Sequence, residues 1–169
     1  MQKPNNHKSV APIHPPLNQK FRRGTFWRRV EVIIQKLRDN GQKITPQRLA
    51  IVKILAKSKG HPSVEDIHGE IKKNFPTMSL ATVYRNIVLI KSLGEVLELG
   101  FPDGSNRYDG NKPYPHPHVI CIKCKKVVDS NLGSLDDLKD EVAVETNFKI
   151  LNHRLDFFGI CSNCMGKKD

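Results

Sequence analysis

The 169-residue sequence predicts an α+β fold, in which a winged helix-turn-helix domain is followed by a small α/β domain. Two observations favour this fold. Residues 26–94 contain four segments with the apolar spacing of amphipathic helices, and a pair of short alternating segments follows them, which is the element order of a winged helix. The remainder of the chain has further alternating segments around one more helical segment, which indicates a second, mixed unit.

Helix-capping residues mark the beginnings of the second, third and fourth helices. Each is preceded by a hydroxyl side chain that can accept a hydrogen bond from the first turn: Thr45 before Pro46, Ser63 with Asp66 three residues later, and Ser79. The predicted helices run from Phe26 to a stop at Gly41, from Pro46, from Ser63 to before Pro76, and from Ser79 to Gly94.

The fourth helix has two different faces. One stripe is apolar, and the remaining positions are largely polar or aromatic. The apolar stripe consists of Leu80, Val83, Ile87, Ile90 and Leu93, and the residues off it include Thr82, Tyr84, Arg85 and Lys91. We therefore expect one face to pack and the other to contact a ligand. The alternative interpretation is a small helical domain that is merely stabilised by a hairpin turning at Asp103-Gly104.

Charge is distributed unevenly along the chain. Residues 1–93 carry 18 Lys and Arg against 5 Asp and Glu, whereas residues 94–169 carry 10 against 12. A basic first half favours binding to a polyanion such as DNA, and on charge alone a basic soluble surface is an equal alternative. Together with the winged-helix pattern, the uneven charge makes DNA binding the leading interpretation. The first thirty residues show no signal-peptide pattern and the sequence has no run of eighteen apolar residues, so we expect a cytoplasmic protein without a membrane partner.

These patterns divide the chain into three predicted regions. Residues 1–25 are rich in proline and basic residues and contain no acidic residue, which predicts a disordered basic tail. Residues 26–109 form the winged-helix domain together with its hinge, and residues 110–169 form the α/β domain. In the latter we expect strands at 118–122 and 125–129, a helix from Ser134 to about Glu145, and further strand within residues 148–161.

All four cysteines occur in two Cys-x-x-Cys pairs, Cys121 with Cys124 and Cys161 with Cys164. Two such pairs can place four thiolates on two tight turns, which is the tetrahedral sulfur set that structural zinc prefers. Disulfides are disfavoured in a reducing compartment, and a thioredoxin-like redox motif needs only one pair in a different setting. The sequence therefore predicts a structural zinc site that joins the two ends of the second domain.

Histidines and carboxylates near the first cysteine pair need a separate explanation. His116 and His118 alternate on a predicted strand and so point to the same face. Asp129, on the neighbouring strand, and Asp109, at the end of the wing, could join them. A nitrogen and oxygen ligand set suits iron, manganese or zinc, but surface polarity explains a lone His-x-His equally well.

Five motifs occur together and in order: "ITPQR" (44–48), "HPSVEDI" (61–67), "SLATVYRNI" (79–87), "HPHVICIKC" (116–124) and the paired Cys-x-x-Cys. On these motifs the chain resembles the ferric uptake regulator (Fur) family from about Trp27 to Met165. The resemblance implies a metal-dependent, homodimeric transcriptional repressor that binds a palindromic DNA operator. It also implies that the α/β domain mediates dimerisation and that a regulatory metal lies between the two domains.

The resemblance further assigns residues to each site. The regulatory ligands, for Fe(II) or Mn(II), would be His61, Asp109, His116, His118 and Asp129, and the structural Zn(II) ligands would be the four cysteines. On DNA, Lys43, Arg48 and the wing would contact phosphates, while Tyr84 and Arg85 of the fourth helix would read bases. Thr82 of the same helix is a further candidate for DNA binding. His61 alone is no more than a turn residue, and only the resemblance makes it a ligand.

Aspartate at positions 109 and 129 is similar to the peroxide regulator (PerR) branch of the family. That branch implies that Fe(II) catalyses oxidation of a histidine ligand, His61 or His116, so that peroxide inactivates the repressor. The alternatives are an iron- or zinc-uptake regulator without peroxide sensing and, from a different class, a mononuclear iron enzyme. The enzyme interpretation explains neither the basic first half nor "SLATVYRNI".

Overall fold

A computed structural model describes residues 26–101, 105–130 and 136–166. The predicted tail (1–25), the Asp103-Gly104 turn and the Ser134 cap lie outside these described residues. In chain order the elements are α1 (Phe26–Asp39), α2 (Pro46–Lys57), α3 (Val64–Lys72), α4 (Leu80–Ser92), β1 (Leu97–Leu99), β2 (Arg107–Asp109), β3 (His118–Cys121), β4 (Val127–Asp129), α5 (Asp136–Thr146) and β5 (Asp156–Gly159).

The predicted caps are confirmed at three helix starts. The Thr45 side chain accepts a hydrogen bond from the backbone N–H of Arg48, and Ser79 does the same for Thr82. Ser63 and Asp66 form a complete capping box, with the Ser63 hydroxyl accepting from the Asp66 N–H and the Asp66 carboxylate accepting from the Ser63 N–H. These bonds satisfy N–H groups that would otherwise lack partners in the first turn, and they fix where α2, α3 and α4 begin.

Helices α1 to α4 and the wing share one hydrophobic core. Buried aliphatic side chains from all four helices meet there, and Tyr108 of β2 joins them. On α4 the predicted stripe is buried at Val83, Ile87 and Ile90, whereas Leu80, in the first turn, is 40% exposed. The wing is an antiparallel pair in which Leu97 of β1 lies opposite Asp109 of β2. The order of four helices and a two-stranded ribbon is the predicted winged helix-turn-helix.

The segment that leaves the wing is anchored to the helices. Arg29 of α1 donates hydrogen bonds to the carbonyl oxygens of Gly110 and Glu95, both at 2.6 Å. Gly110 packs so closely on α2 that an added Cβ would lie 2.7 Å from the Leu55 Cβ and 3.0 Å from the Leu55 backbone. Only glycine fits this close approach. The chain direction immediately after Asp109 is therefore set by contacts with α1 and α2.

The second sheet has the strand order β4-β3-β5. Strands β3 and β4 are antiparallel with His118 opposite Asp129, and β3 and β5 are parallel with His118 opposite Asp156. A small core of Leu99, Ile120 and Val127 lies beneath the sheet. Because Leu99 belongs to β1, the wing packs directly against the sheet, and this contact brings the two halves of the chain together around the histidines.

The strands of this second sheet are shorter than the sequence predicts. β3 ends at Cys121 and β4 begins only at Val127, because residues 122–124 form a turn and Lys125 follows it with φ +59°. Within residues 148–161 only Asp156–Gly159 is strand.

Several hydrophobic side chains of this half are exposed, including Val144 (83%), Phe148 (70%), Leu151 (65%) and Phe158 (63%). Among the described helices, none is both long and apolar enough to span a bilayer.

Candidate metal centres

Five predicted ligands converge at the junction of the wing and the second sheet. His61 precedes α3, Asp109 ends β2, His116 precedes β3, His118 begins β3 and Asp129 ends β4. Each can offer one ligand atom such that all five atoms lie within 4.8 Å of one another. Residues far apart in sequence thus form one compact nitrogen and oxygen cluster.

Backbone pairing explains why these residues meet. His118 and Asp129 are direct partners across β3 and β4. The backbone N–H of Tyr108 donates to the carbonyl of Pro62 at 3.0 Å, which places the end of β2 beside the turn that carries His61. His61 itself has φ +51°, a left-handed conformation that is uncommon outside glycine and is found at functional turns.

Distances within the cluster fit a coordinated metal ion. His61 Nε2 lies 2.9 Å from Asp129 Oδ1 and 3.4 Å from Asp109 Oδ2. His116 Nε2 lies 3.2 Å and 3.4 Å from the same two oxygens. With metal–ligand bonds of about 2.1 Å, neighbouring ligands of an octahedron are about 3.0 Å apart, so only small shifts are needed.

Further groups orient the candidate ligands. His116 Nδ1 lies 2.8 Å from the carbonyl oxygen of Tyr114, which suits a protonated Nδ1 and leaves Nε2 free to bind a metal. Asp109 Oδ1 accepts from the backbone N–H groups of Asn111 and Lys112 at 2.7 and 2.9 Å, so its Oδ2 is directed at the cluster. Lys112 Nζ also lies 2.6 Å from Asp129 Oδ2. The roles of Tyr114 and Lys112 are not predicted from the sequence, although both residues lie between the predicted ligands Asp109 and His116.

Buried nitrogen atoms in the cluster lack hydrogen-bond partners. Both ring nitrogens of His61 and both of His118 are buried without a hydrogen bond to the described residues. Buried polar atoms normally have a partner, and a metal ion supplies one to an imidazole nitrogen. The residues therefore fit a metal centre on structural grounds.

The pKa values of three residues in this cluster reflect the close packing of buried imidazoles and carboxylates. Burial lowers the pKa of His61, but the adjacent carboxylates of Asp109 and Asp129 outweigh burial and raise it to about 9. Burial acts to raise the pKa of Asp129, but the adjacent His116, His61 and Lys112 hold it far below its ordinary value. Burial and the neighbouring His116 and His61 lower the pKa of His118 to about 4. The two carboxylates beside His61 therefore favour a positive charge at this position, which a proton or a metal cation can supply.

The four cysteines form a second cluster, with all four sulfur atoms within 4.8 Å of one another. Cys124 Sγ and Cys161 Sγ are 3.7 Å apart, and sulfur atoms bound to one zinc at about 2.3 Å would be about 3.8 Å apart. Backbone N–H groups of Cys124 and Cys161 lower the pKa of the Cys121 thiol to about 6, which favours the thiolate that zinc requires. The cluster is consistent with structural zinc, and it joins the end of β3 to the segment after β5.

The residues predicted to contact DNA lie on α4, on α2 and in the segment just before α2. Tyr84 is 51% exposed and Arg85 is also exposed, with its Nη2 3.1 Å from the Thr82 hydroxyl. Lys43 is exposed. Arg48 is half-buried and links α2 to α4, because its Nε donates to Asn86 Oδ1 at 2.8 Å and its Nη1 donates to the Lys43 carbonyl.

Residues 39–158 match the model of the ferric uptake regulator family. The chain is 38% identical over 143 residues to the peroxide-responsive repressor PerR of Staphylococcus saprophyticus, covering 85% of this chain and 96% of that protein. It is 39% identical over 136 residues to the peroxide operon regulator of Bacillus subtilis, covering 80% of this chain and 93% of the relative.

Solved structures give the same fold. The Helicobacter pylori ferric uptake regulator aligns with a TM-score of 0.72 at 24% identity, over 86% of this chain and 97% of that structure. The Vibrio cholerae ferric uptake regulator aligns with a TM-score of 0.64 at 28% identity, over 75% of this chain and 98% of that structure. The winged helix-turn-helix followed by a small α/β dimerisation domain is thus the fold of this chain. The chain belongs to the ferric uptake regulator family, whose members are metal-dependent, dimerising DNA-binding regulators and not enzymes.

Proposed function

We propose that this chain is a cytoplasmic, homodimeric repressor that needs a regulatory metal to bind its operator and loses DNA binding when peroxide oxidises a histidine ligand. One observation carries the metal-dependent part of the proposal. Ligands from the turn before α3, the end of the wing and the second sheet meet in a single cluster. A metal bound there would fix the DNA-binding helices relative to the sheet.

Homodimerisation follows from the exposed apolar surface of the second half. Phe148, Leu151 and Phe158 are each more than 60% exposed. Large apolar side chains that remain exposed in one region of a protein indicate an interaction surface. A second copy of this chain is the proposed occupant, because two identical reading helices at a fixed spacing match a palindromic operator.

Peroxide sensing is proposed from the ligand set together with the similarity to PerR proteins at 38% identity. Fe(II) held by imidazole and carboxylate groups supplies an oxidant that reaches only the groups in contact with it. One peroxide oxygen enters an imidazole carbon of His61 or His116 and the other leaves as water, so peroxide oxidises the ring by two electrons. Both rings place Nε2 within 3.4 Å of Asp109 Oδ2, and so both are candidates.

The test loads the purified zinc protein with Fe(II) or with Mn(II) and measures binding to DNA of its own promoter before and after modest peroxide. Either metal should promote binding. After peroxide, the Fe(II) form should gain one oxygen atom on a peptide containing His61 or His116 and lose DNA binding in parallel. The Mn(II) form should do neither. His68, whose Nε2 is 2.9 Å from the Met78 carbonyl, is an internal control in the same digest.

Other outcomes assign a different function. Inactivation that follows disulfide formation among the four cysteines, with unmodified histidines, would indicate thiol sensing instead. No peroxide effect with either metal would leave a metal-uptake regulator, and DNA binding that ignores metal would refute the proposal.

Base reading by α4 gives a separate prediction. Arg85→Ala should cost about 1–3 kcal/mol on the specific site and relax sequence preference, since an exposed arginine on the reading helix can bind a guanine edge. Lys43→Ala removes the same charge from a proposed phosphate contact, so it should weaken binding to all DNA and reduce the salt slope by about one. Fluorescence anisotropy on specific and random duplexes separates the two variants. An equal loss on both duplexes for Arg85→Ala would exclude base reading.

A further inference from the structure

Strand β5 places a buried carboxylate beside one of the candidate ligands. Asp156 is the direct parallel partner of His118, and its Oδ1 lies 3.6 Å from His118 Nδ1. The two side chains are 9% and 1% exposed. Neither atom has a hydrogen-bond partner among the residues that the structure describes. Two complementary atoms therefore face each other slightly beyond hydrogen-bond distance, and no other described group satisfies them.

This arrangement matches what a metal-bound imidazole requires. A histidine that binds a metal through one nitrogen usually donates the N–H of the other to a carboxylate, which fixes the tautomer and the ring orientation. Since Nδ1 of His118 is turned to Asp156, Nε2 is the nitrogen available to the metal. A small rotation of the ring would shorten the 3.6 Å separation to a normal hydrogen bond of about 2.9 Å.

Arg154 holds the carboxylate and connects it to the wing. Its Nε lies 2.5 Å from Asp156 Oδ2, which compensates the buried negative charge. Its Nη1 donates to the carbonyl oxygen of Gly100 at 3.0 Å, and Gly100 directly follows β1. Strand β1 pairs with β2, and β2 ends in the candidate ligand Asp109. The contacts from His118 to Asp156, Arg154 and Gly100 therefore reach the hairpin that carries Asp109.

We propose that Asp156 and Arg154 are positioning residues for the regulatory metal: Asp156 orients the His118 imidazole, and Arg154 links that orientation to the wing at Gly100. This rests on the proposed function, since it requires a metal at the five-residue cluster. It adds two residues that do not touch the metal but set its affinity and tie the second sheet to the DNA-binding half.

The test measures Mn(II) affinity of the intact zinc-loaded protein by the electron paramagnetic resonance signal of free Mn(II). Asp156→Asn keeps size but loses the charge and the preference for a protonated Nδ1, so affinity should fall about 10- to 100-fold. Asp156→Glu keeps a carboxylate and should recover most of that loss. Glu98→Gln is the matched control, because Glu98 is a partly buried carboxylate of β1 that bonds to Lys91 and Tyr108 rather than to a ligand. Its Mn(II) affinity should equal that of the parent.

Thermal unfolding without Mn(II) distinguishes positioning from a general structural role. The midpoint of Asp156→Asn should stay close to that of Glu98→Gln, while only the former loses Mn(II) affinity. Should Asp156→Asn fail to fold, Arg154→Ala replaces it, because the Arg154 side chain is 40% exposed and its loss leaves the core intact. This variant should also weaken Mn(II) binding.

The outcomes separate this inference from the proposed function. A parent chain that binds Mn(II) and a folded Asp156→Asn variant that binds it equally well would overturn the positioning role alone. A parent chain that binds no Mn(II) at these residues would overturn both proposals. Loss of Mn(II) affinity in the Glu98→Gln control as well would show that any carboxylate loss in this region acts through stability, and it would likewise overturn the positioning role.

Discussion

Cys121→Ser is expected to remove zinc, the second sheet and dimerisation together. Cys121 is 4% exposed, ends β3 and has its sulfur 3.4 Å from the Cys161 backbone nitrogen. A serine hydroxyl cannot replace a thiolate at zinc, and three remaining thiolates leave an open position. Structural zinc contributes roughly 10–16 kcal/mol in small zinc domains. The buried core of this sheet consists of Leu99, Ile120 and Val127, which cannot compensate such a loss.

Three measurements check this expectation: mass spectrometry gives the zinc content, light scattering gives the mass in solution, and circular dichroism gives the helical content. The variant should contain no zinc and should not form the dimer, while helical signal from α1 to α4 remains, because those helices have their own core. Asn163→Ser is the control, since it introduces a serine at an exposed position of the second Cys-x-x-Cys turn without removing a thiolate. A zinc-free Cys121→Ser protein that still dimerises and binds DNA would contradict the structural role.

Asp109→Ala is expected to abolish metal-dependent DNA binding and also to loosen the chain after the wing. The carboxylate of Asp109 serves two purposes, because Oδ2 faces the cluster while Oδ1 accepts the N–H groups of Asn111 and Lys112. Loss of Mn(II) affinity should exceed about 100-fold, since changes to groups around a ligand alone cost about 10- to 100-fold. Loss of two hydrogen bonds should lower metal-free stability by about 1–3 kcal/mol.

Asp109→Asn separates these two purposes. Its amide oxygen can still accept both N–H groups, but the second ligand atom becomes an amide nitrogen that does not bind the metal. This variant should therefore lose Mn(II) binding as strongly as Asp109→Ala while keeping the parent's stability in urea unfolding. Parent-like Mn(II) affinity in Asp109→Asn would exclude Asp109 as a ligand.

Local chemistry made much of the winged half predictable. Thr45, Ser63 and Ser79 fix helix starts through bonds within three residues, and such bonds can be read directly from a sequence. The zinc site could be predicted equally well, because the spacing of the cysteine pairs already defines two tight turns. Leu80 departs from its predicted stripe, since it is 40% exposed in the first turn of α4 while Val83, Ile87 and Ile90 are buried.

The cluster of five ligands depends on pairings that the sequence does not encode locally. Alternation places His116 and His118 on one face, but only strand register places Asp129 opposite His118. His61 reaches the cluster from a left-handed turn, with φ +51°, that no residue pattern predicts. Only the family resemblance therefore indicates that it is a ligand. Arg154 and Asp156 were missed because their partners, Gly100 and His118, lie 54 and 38 residues away.

The parallel pairing of β3 with β5 has a consequence for the order of folding. Its partners, His118 and Asp156, are separated by a long stretch of chain, whereas α1, α2 and α3 each contact the helix that follows in sequence. Local contacts form quickly, and distant strand pairing is slow because a long loop must first close. A newly made chain therefore has its helical half, with its surplus of positive charge, before β5 can complete the second sheet. Under the proposed function, a nascent molecule would in that interval bind nucleic acid weakly, without dependence on sequence or metal.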